Sequence, residues 1–222
     1  MSLNTIELTS GPAPQASIII LHGLGADGED FVPICHELDL SAAGPVRYVL
    51  PSAPAIPVSI NGGYVMRAWY DIRQPGQGPR EDEAGLRQSQ QAIHALIERE
   101  IAQGIPASRI VLMGFSQGCA MALMTGLRYP QRLAGIVALS GYLPLLDTTA
   151  AERHQANLHT PIFMAHGQED DVVLMSRGTQ SRDHLASLGH TIDWHDYPMD
   201  HTLCLEEVQD LQAWLNQVLA ST

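Results

Sequence analysis

The chain is poor in cysteine, in clustered positive charge and in long apolar runs, and each shortage argues against a class of protein. Its three cysteines, Cys35, Cys119 and Cys204, lie far apart in 222 residues. An odd number without a CxxC pair argues against a disulfide framework and against a zinc site built on cysteine. It fits buried thiols in a reducing compartment. There is no HExxH and no Cys/His ligand cluster, so no metal is expected. Lys and Arg number 12 against 24 Asp and Glu, a net charge of −12. Such a surface repels phosphate backbones, and no basic run offers an exception, so nucleic acid is not an expected partner. The longest uninterrupted apolar runs are a few residues, so no membrane span is expected. The opening MSLNTIELTS lacks the basic segment and apolar stretch of a secretory signal, and a cytoplasmic location is the expectation.

What is present reads as one globular domain over residues 1–222. Apolar residues make up 45% and charged residues 16%, an ordinary balance for a chain with a packed core. No repeat, low-complexity tract or Pro/Gly/Ser linker divides it. Short β-branched runs alternate with amphipathic stretches. Ser17–Leu21, Arg47–Leu50, Arg109–Met113, Leu133–Leu139, Pro161–Ala165 and Thr191–Tyr197 read as strands. The first five are apolar almost throughout, as strands covered on both faces should be. Leu86, Gln90, Ile93, Ile97 and Ile101 mark one face of a helix that stops at Gly104. Further helices fit Ser116–Tyr129, ended by Pro130, then Val173–Leu188 and Leu205–Leu219. This alternation predicts an α/β fold, a mostly parallel central sheet with helices on both faces. The stretch from Ala53 to Arg80 departs from it. It is loop-rich and carries Trp69 and Tyr70, and long ordered loops are often functional, so its Asn61–Tyr70 part is expected to wall a binding pocket, with Met66 and Trp69 as pocket residues.

The strongest chemical signal is Gly114-Phe115-Ser116-Gln117-Gly118. A GxSxG arises by chance in roughly one chain of this length in fifteen, so the pentapeptide alone is weak. Its place directly after one strand and directly before a helix gives it weight. A sharp strand-to-helix turn lifts a serine hydroxyl clear of the sheet, and the helix N-terminus offers unpaired N–H groups to a developing oxyanion. A serine hydroxyl needs a base, and the base needs an orienting acid. Past the strand PIFMA stand Glu169, Asp170 and Asp171. For the base, His195 falls inside a predicted strand and His201 in the loop before the last helix, which makes His201 the better candidate. His22-Gly23-Leu24-Gly25 follows the first buried strand, where a glycine-rich turn can bring a second N–H to the oxyanion. Leu24 and Gln117 are the expected backbone donors, with His22 supporting the loop.

Taken in order, LHGLGADGEDF, MRAWYDI, GFSQG, HGQEDDVV and His201 resemble the small carboxylesterase and acyl-protein thioesterase family, also called phospholipase/carboxylesterase, and most of all its bacterial carboxylesterases. The resemblance runs from Leu21 to the last helix. It implies an α/β-hydrolase without a large cap domain, with no metal and no organic cofactor. It maps the nucleophile to Ser116, the acid to Asp170 within HGxxD, the base to His201 and the oxyanion donors to Leu24 and Gln117. The implied substrates are small-molecule esters, with hydrolysis of short-chain carboxylic esters through an acyl-enzyme intermediate. Acyl-protein or acyl-CoA thioester cleavage is the alternative. A non-catalytic binding module on the same scaffold is disfavoured, because all three members of the serine, acid and histidine set are present. Some members of the family form dimers, so a homodimer is among the expectations. The chain departs from the family pattern at Cys119 and Asp200, where glycine is common, and at Asp171 and Leu174, where proline is common.

Overall fold

The computed structural model describes residues 3–73 and 81–220. Among these residues the strands are β1 (Asn4–Thr9), β2 (Ala16–Leu21), β3 (Val46–Ser52), β4 (Ala55–Val58), β5 (Tyr64–Arg67), β6 (Ile110–Phe115), β7 (Gly135–Leu139), β8 (Ile162–Gly167) and β9 (Ile192–Tyr197). The helices are α1 (Val32–Glu37), α2 (Glu83–Ala102), α3 (Gln117–Arg128), α4 (Thr149–Glu152), α5 (Met175–Ser187) and α6 (Leu205–Val218). Seven strands form one sheet in the order β1-β3-β2-β6-β7-β8-β9. All of its neighbours run parallel except β1, which lies antiparallel on β3. The fold is that of an α/β-hydrolase without a large cap.

Period-two alternation sorts the strand residues between two apolar layers. Ile19, Leu21, Leu112, Ile136 and Met164 face α2, α3 and α5, where Ile93, Ile97, Leu123 and Leu185 complete the packing. Ile18, Ile20, Met113, Val137 and Phe163 face the other way, against Cys35 of α1 and Leu211, Trp214 and Leu215 of α6. Each such side chain taken fully out of water contributes roughly 1.5–3 kcal/mol before entropy is subtracted. Every residue of α3 is buried. Its one charged residue, Arg128, is neutralised by Glu152, with Nε donating at 2.7 Å.

The six strands expected from the sequence are present as β2, β3, β6, β7, β8 and β9, and the four helices as α2, α3, α5 and α6. No sequence expectation covers β1, α1, α4 or the antiparallel β4–β5 hairpin, paired from Ala55–Arg67 to Val58–Tyr64. The irregular excursion expected over Ala53–Arg80 is therefore a hairpin in its first part, while residues 74–80 lie outside the described residues. Among the described residues no helix is long and apolar enough to cross a membrane. The three cysteines are free thiols, two buried and Cys204 partly exposed.

Candidate active site

The residues singled out by the sequence meet at the C-terminal edge of the sheet. β6 ends in Phe115, and α3 begins at Gln117, so Ser116 is the whole of the turn between them. Its backbone is forced to φ 55°, ψ −117°, a region that costs a non-glycine residue about 1–3 kcal/mol. The flanking glycines make the turn feasible. A Cβ on Gly114 would lie 2.1 Å from the Gly118 carbonyl oxygen, and one on Gly118 would lie 2.0 Å from that of Leu21. The Ser116 N–H donates to Leu139 O at 2.9 Å, which ties the turn to the end of β7.

Ser116 Oγ lies 2.9 Å from His201 Nε2, and His201 Nδ1 lies 2.7 Å from Asp170 Oδ2. A carboxylate only accepts, so Nδ1 carries the proton and Nε2 is free to accept from the hydroxyl. Phe115 packs on the His201 ring at 4.8 Å between centroids. Asp170 is buried, with Glu169 and Asp171 beside it exposed. Its Oδ1 accepts from the N–H groups of Val172 at 3.0 Å and Val173 at 2.8 Å, which leaves Oδ2 for the imidazole. His195 is elsewhere: it sits on β9, stacks on Phe163 at 4.9 Å and pairs with Asp193 at 3.1 Å. Chemically, Ser116, His201 and Asp170 form a hydroxyl whose proton has a positioned acceptor, and an acceptor whose resulting charge has a buried counter-ion.

Leu24 follows β2 in the loop that passes over Ser116. A Cβ on Gly23 would lie 3.2 Å from Ser116 Cβ, so this loop passes close to the serine side chain. Among the described residues no protein acceptor takes the N–H of Leu24 or of Gln117. His22 beneath them is a structural clamp: Nδ1 donates to Gly23 O at 2.6 Å, and Nε2 accepts from Ala53 N at 2.9 Å. Burial holds this imidazole below its ordinary pKa, so it stays neutral in both roles.

A cavity of about 450 Å³ opens beside the hydroxyl. Leu24, Phe31, Ile34, Phe115, Val172 and Leu203 give it an apolar wall, and Asp30 is its one carboxylate. The pocket residues expected from the sequence do not line it. Trp69 is 1% exposed and belongs to the core. Its indole N–H donates to His22 O at 2.9 Å, its backbone N–H donates to Gln117 Oε1 at 2.7 Å, and its carbonyl accepts from Ser89. An aromatic in a loop-like stretch reads as a pocket wall, but here it supports the two loops of the site from below. Met66 is half-buried against Gly25 and accepts from Asn61 Nδ2 through its sulfur at 3.4 Å. A separate cavity of about 500 Å³ lies on the α2 side of Trp69 and shares no residue with Ser116, His201 or Asp170. No pattern along the sequence marks the cavity wall itself. Phe31, Ile34, Val172 and Leu203 come from four separate loop and helix positions with no common period.

Known proteins resemble the chain along nearly its whole length. The phospholipase/carboxylesterase family model matches residues 4–219. Acyl-protein thioesterase 1 of Neurospora crassa is 42% identical, over 92% of this chain and 87% of that protein. Acyl-protein thioesterase 1 of Yarrowia lipolytica is 36% identical over 96% of each. Among solved structures, Zea mays acyl-protein thioesterase 2 superposes with a TM-score of 0.81 at 28% identity, covering 97% of this chain and 99% of that one. By fold and by sequence, the chain belongs to the phospholipase/carboxylesterase family of α/β-hydrolases.

Proposed function

We propose that the protein is a serine hydrolase that cleaves acyl esters through an acyl-enzyme intermediate on Ser116. The observation that carries this reading is the unbroken chain Asp170 Oδ2, His201, Ser116 Oγ, with contacts of 2.7 and 2.9 Å, at the mouth of an apolar cavity. Ser116 Oγ attacks the substrate carbonyl while His201 Nε2 takes its proton, and Asp170 stabilises the imidazolium. The N–H groups of Leu24 and Gln117 receive the oxyanion. Collapse expels the alcohol or thiol, which takes the proton from His201. Water, deprotonated by the same imidazole, then releases the acid and restores Ser116.

Short-chain carboxylic esters are the first substrates to test. The thioester reading draws on a specific observation of its own: relatives at 36–42% identity are named acyl-protein thioesterase 1. A wall of Leu, Ile and Phe side chains around about 450 Å³ also leaves room beyond what an acetyl or butyryl group fills. A panel of matched oxygen and sulfur esters of graded acyl length separates the two. An organophosphonate probe is expected to label the wild type and leave Ser116→Ala unlabelled, and Asp170→Asn is expected to lower kcat by roughly 10⁴-fold. Equal labelling of Ser116→Ala would remove the nucleophile assignment. A crippling effect of Asp171→Asn with a mild one of Asp170→Asn would move the acid by one residue.

A further inference from the structure

We infer that His166 is a positioning residue for Asp170, a second imidazole that fixes the carboxylate from behind. The inference rests on the serine-hydrolase reading above. His166 is on β8 and is 1% exposed. Its Nε2 lies 2.7 Å from Val173 O and 3.4 Å from Asp170 Oδ2. Both are acceptors, so Nε2 carries a proton. Burial holds the ring below its ordinary pKa, although the Val173 carbonyl and Asp170 oppose that shift.

The placement of this ring is over-determined. A Cβ on Gly178 of α5 would come within 2.6 Å of His166 Nδ1, so α5 presses on one edge. Trp194 stacks on its face at 6.4 Å between centroids, 20° from parallel. The fixed ring closes the turn from Asp170 to Val173. The Asp170 carboxylate accepts both N–H groups at 172 and 173, and the carbonyl at 173 returns to the ring. Oδ2 is thereby placed between two imidazoles, 2.7 Å from the one that meets Ser116 and 3.4 Å from the one that does not. A glutamine at 166 can offer an amide proton near the Nε2 position. Leucine fills similar space with no donor, and asparagine keeps a donor that is too short to reach Val173.

The test measures kcat and KM on one good ester for the wild type, His166→Gln, His166→Leu, Asp170→Asn and the double variant His166→Leu/Asp170→Asn. His166→Leu is expected to lose roughly 10- to 100-fold in kcat, the scale of a misplaced catalytic group, with KM within about twofold of wild type. His166→Gln should recover most of that loss. In the Asp170→Asn background the leucine should cost nothing further, because its effect passes through the carboxylate. If His166→Leu does not fold, His166→Asn takes its place with the same expectation. An indifferent kcat in His166→Leu, an equal loss in His166→Gln, or losses that multiply in the double variant would each overturn the assignment. A wild type inactive on every ester would instead overturn the serine-hydrolase reading, and this one with it.

Discussion

At the scale of single residues, one chain of contacts joins Asp170, His201 and Ser116, drawn from three separate turns of the backbone. Ser116, Asp170 and His201 could be picked out because each stands in a local pattern that a strand end or a loop explains: GFSQG, HGQED, and the segment past Pro198. Trp69 shows the opposite case. Its sequence context suggests contact with substrate, whereas three hydrogen bonds and near-complete burial bind it to His22, Gln117 and Ser89. Those partners are 47, 48 and 20 residues away, and no window along the chain reveals them. Trp69→Ala is therefore expected to destabilise the fold by about 3–5 kcal/mol. Urea unfolding checks the loss, and the ratio of rates on long and short acyl esters should stay near that of wild type for the folded fraction. A changed ratio with unchanged stability would return Trp69 to the pocket.

At the scale of elements, the buried parallel strands announced themselves because both faces are covered and the runs are apolar throughout. β1 did not, because only Ile6 and Leu8 of its six residues pack on the core and the rest of the strand lies at the edge. The hairpin β4–β5 carries exposed Tyr64 and Val65 and leans on the Gly25 loop, so tertiary contact decides it. Helix α6 holds an oddity that composition cannot reveal. Glu207, in its first turn, is fully buried, and neither carboxylate oxygen has a hydrogen-bond partner among the described residues. Burial pushes its pKa up to about 8 from an ordinary 4.5. The folded chain keeps this proton over the window in which the unfolded chain releases it. Stability is therefore fully present below about pH 4.5 and falls by about 1.4 kcal/mol per pH unit as pH rises toward the folded value. Glu207→Gln should flatten that slope and raise the unfolding free energy at pH 8. Denaturant titrations at pH 5 and pH 8 measure both, and parallel pH dependence in the two proteins would show that the carboxylate is ionised inside the fold.

At the scale of the whole molecule, a net charge of −12 surrounds an apolar cavity whose one carboxylate is Asp30. Anionic substrates meet repulsion on approach and again at the wall. An ester carrying a carboxylate on its acyl chain should be hydrolysed more slowly than its neutral counterpart, with the gap narrowing as salt is added. Asp30→Asn should raise kcat/KM for the anionic ester by roughly two- to fivefold and leave the neutral one alone, since an exposed unit charge is worth about 1 kcal/mol at contact. A gap insensitive to both salt and Asp30→Asn would make it steric. Ser116 precedes His201 by 85 residues along the chain, and the loop carrying His201 runs directly into α6. The wholly buried α3 has no finished surface to rest on until the strands on both sides of β6 have been delivered. A chain that has passed Ser116 but not yet reached residue 201 thus holds the serine without the imidazole that contacts it. That contact therefore reports that segments from both sides of β6 have come together in one fold.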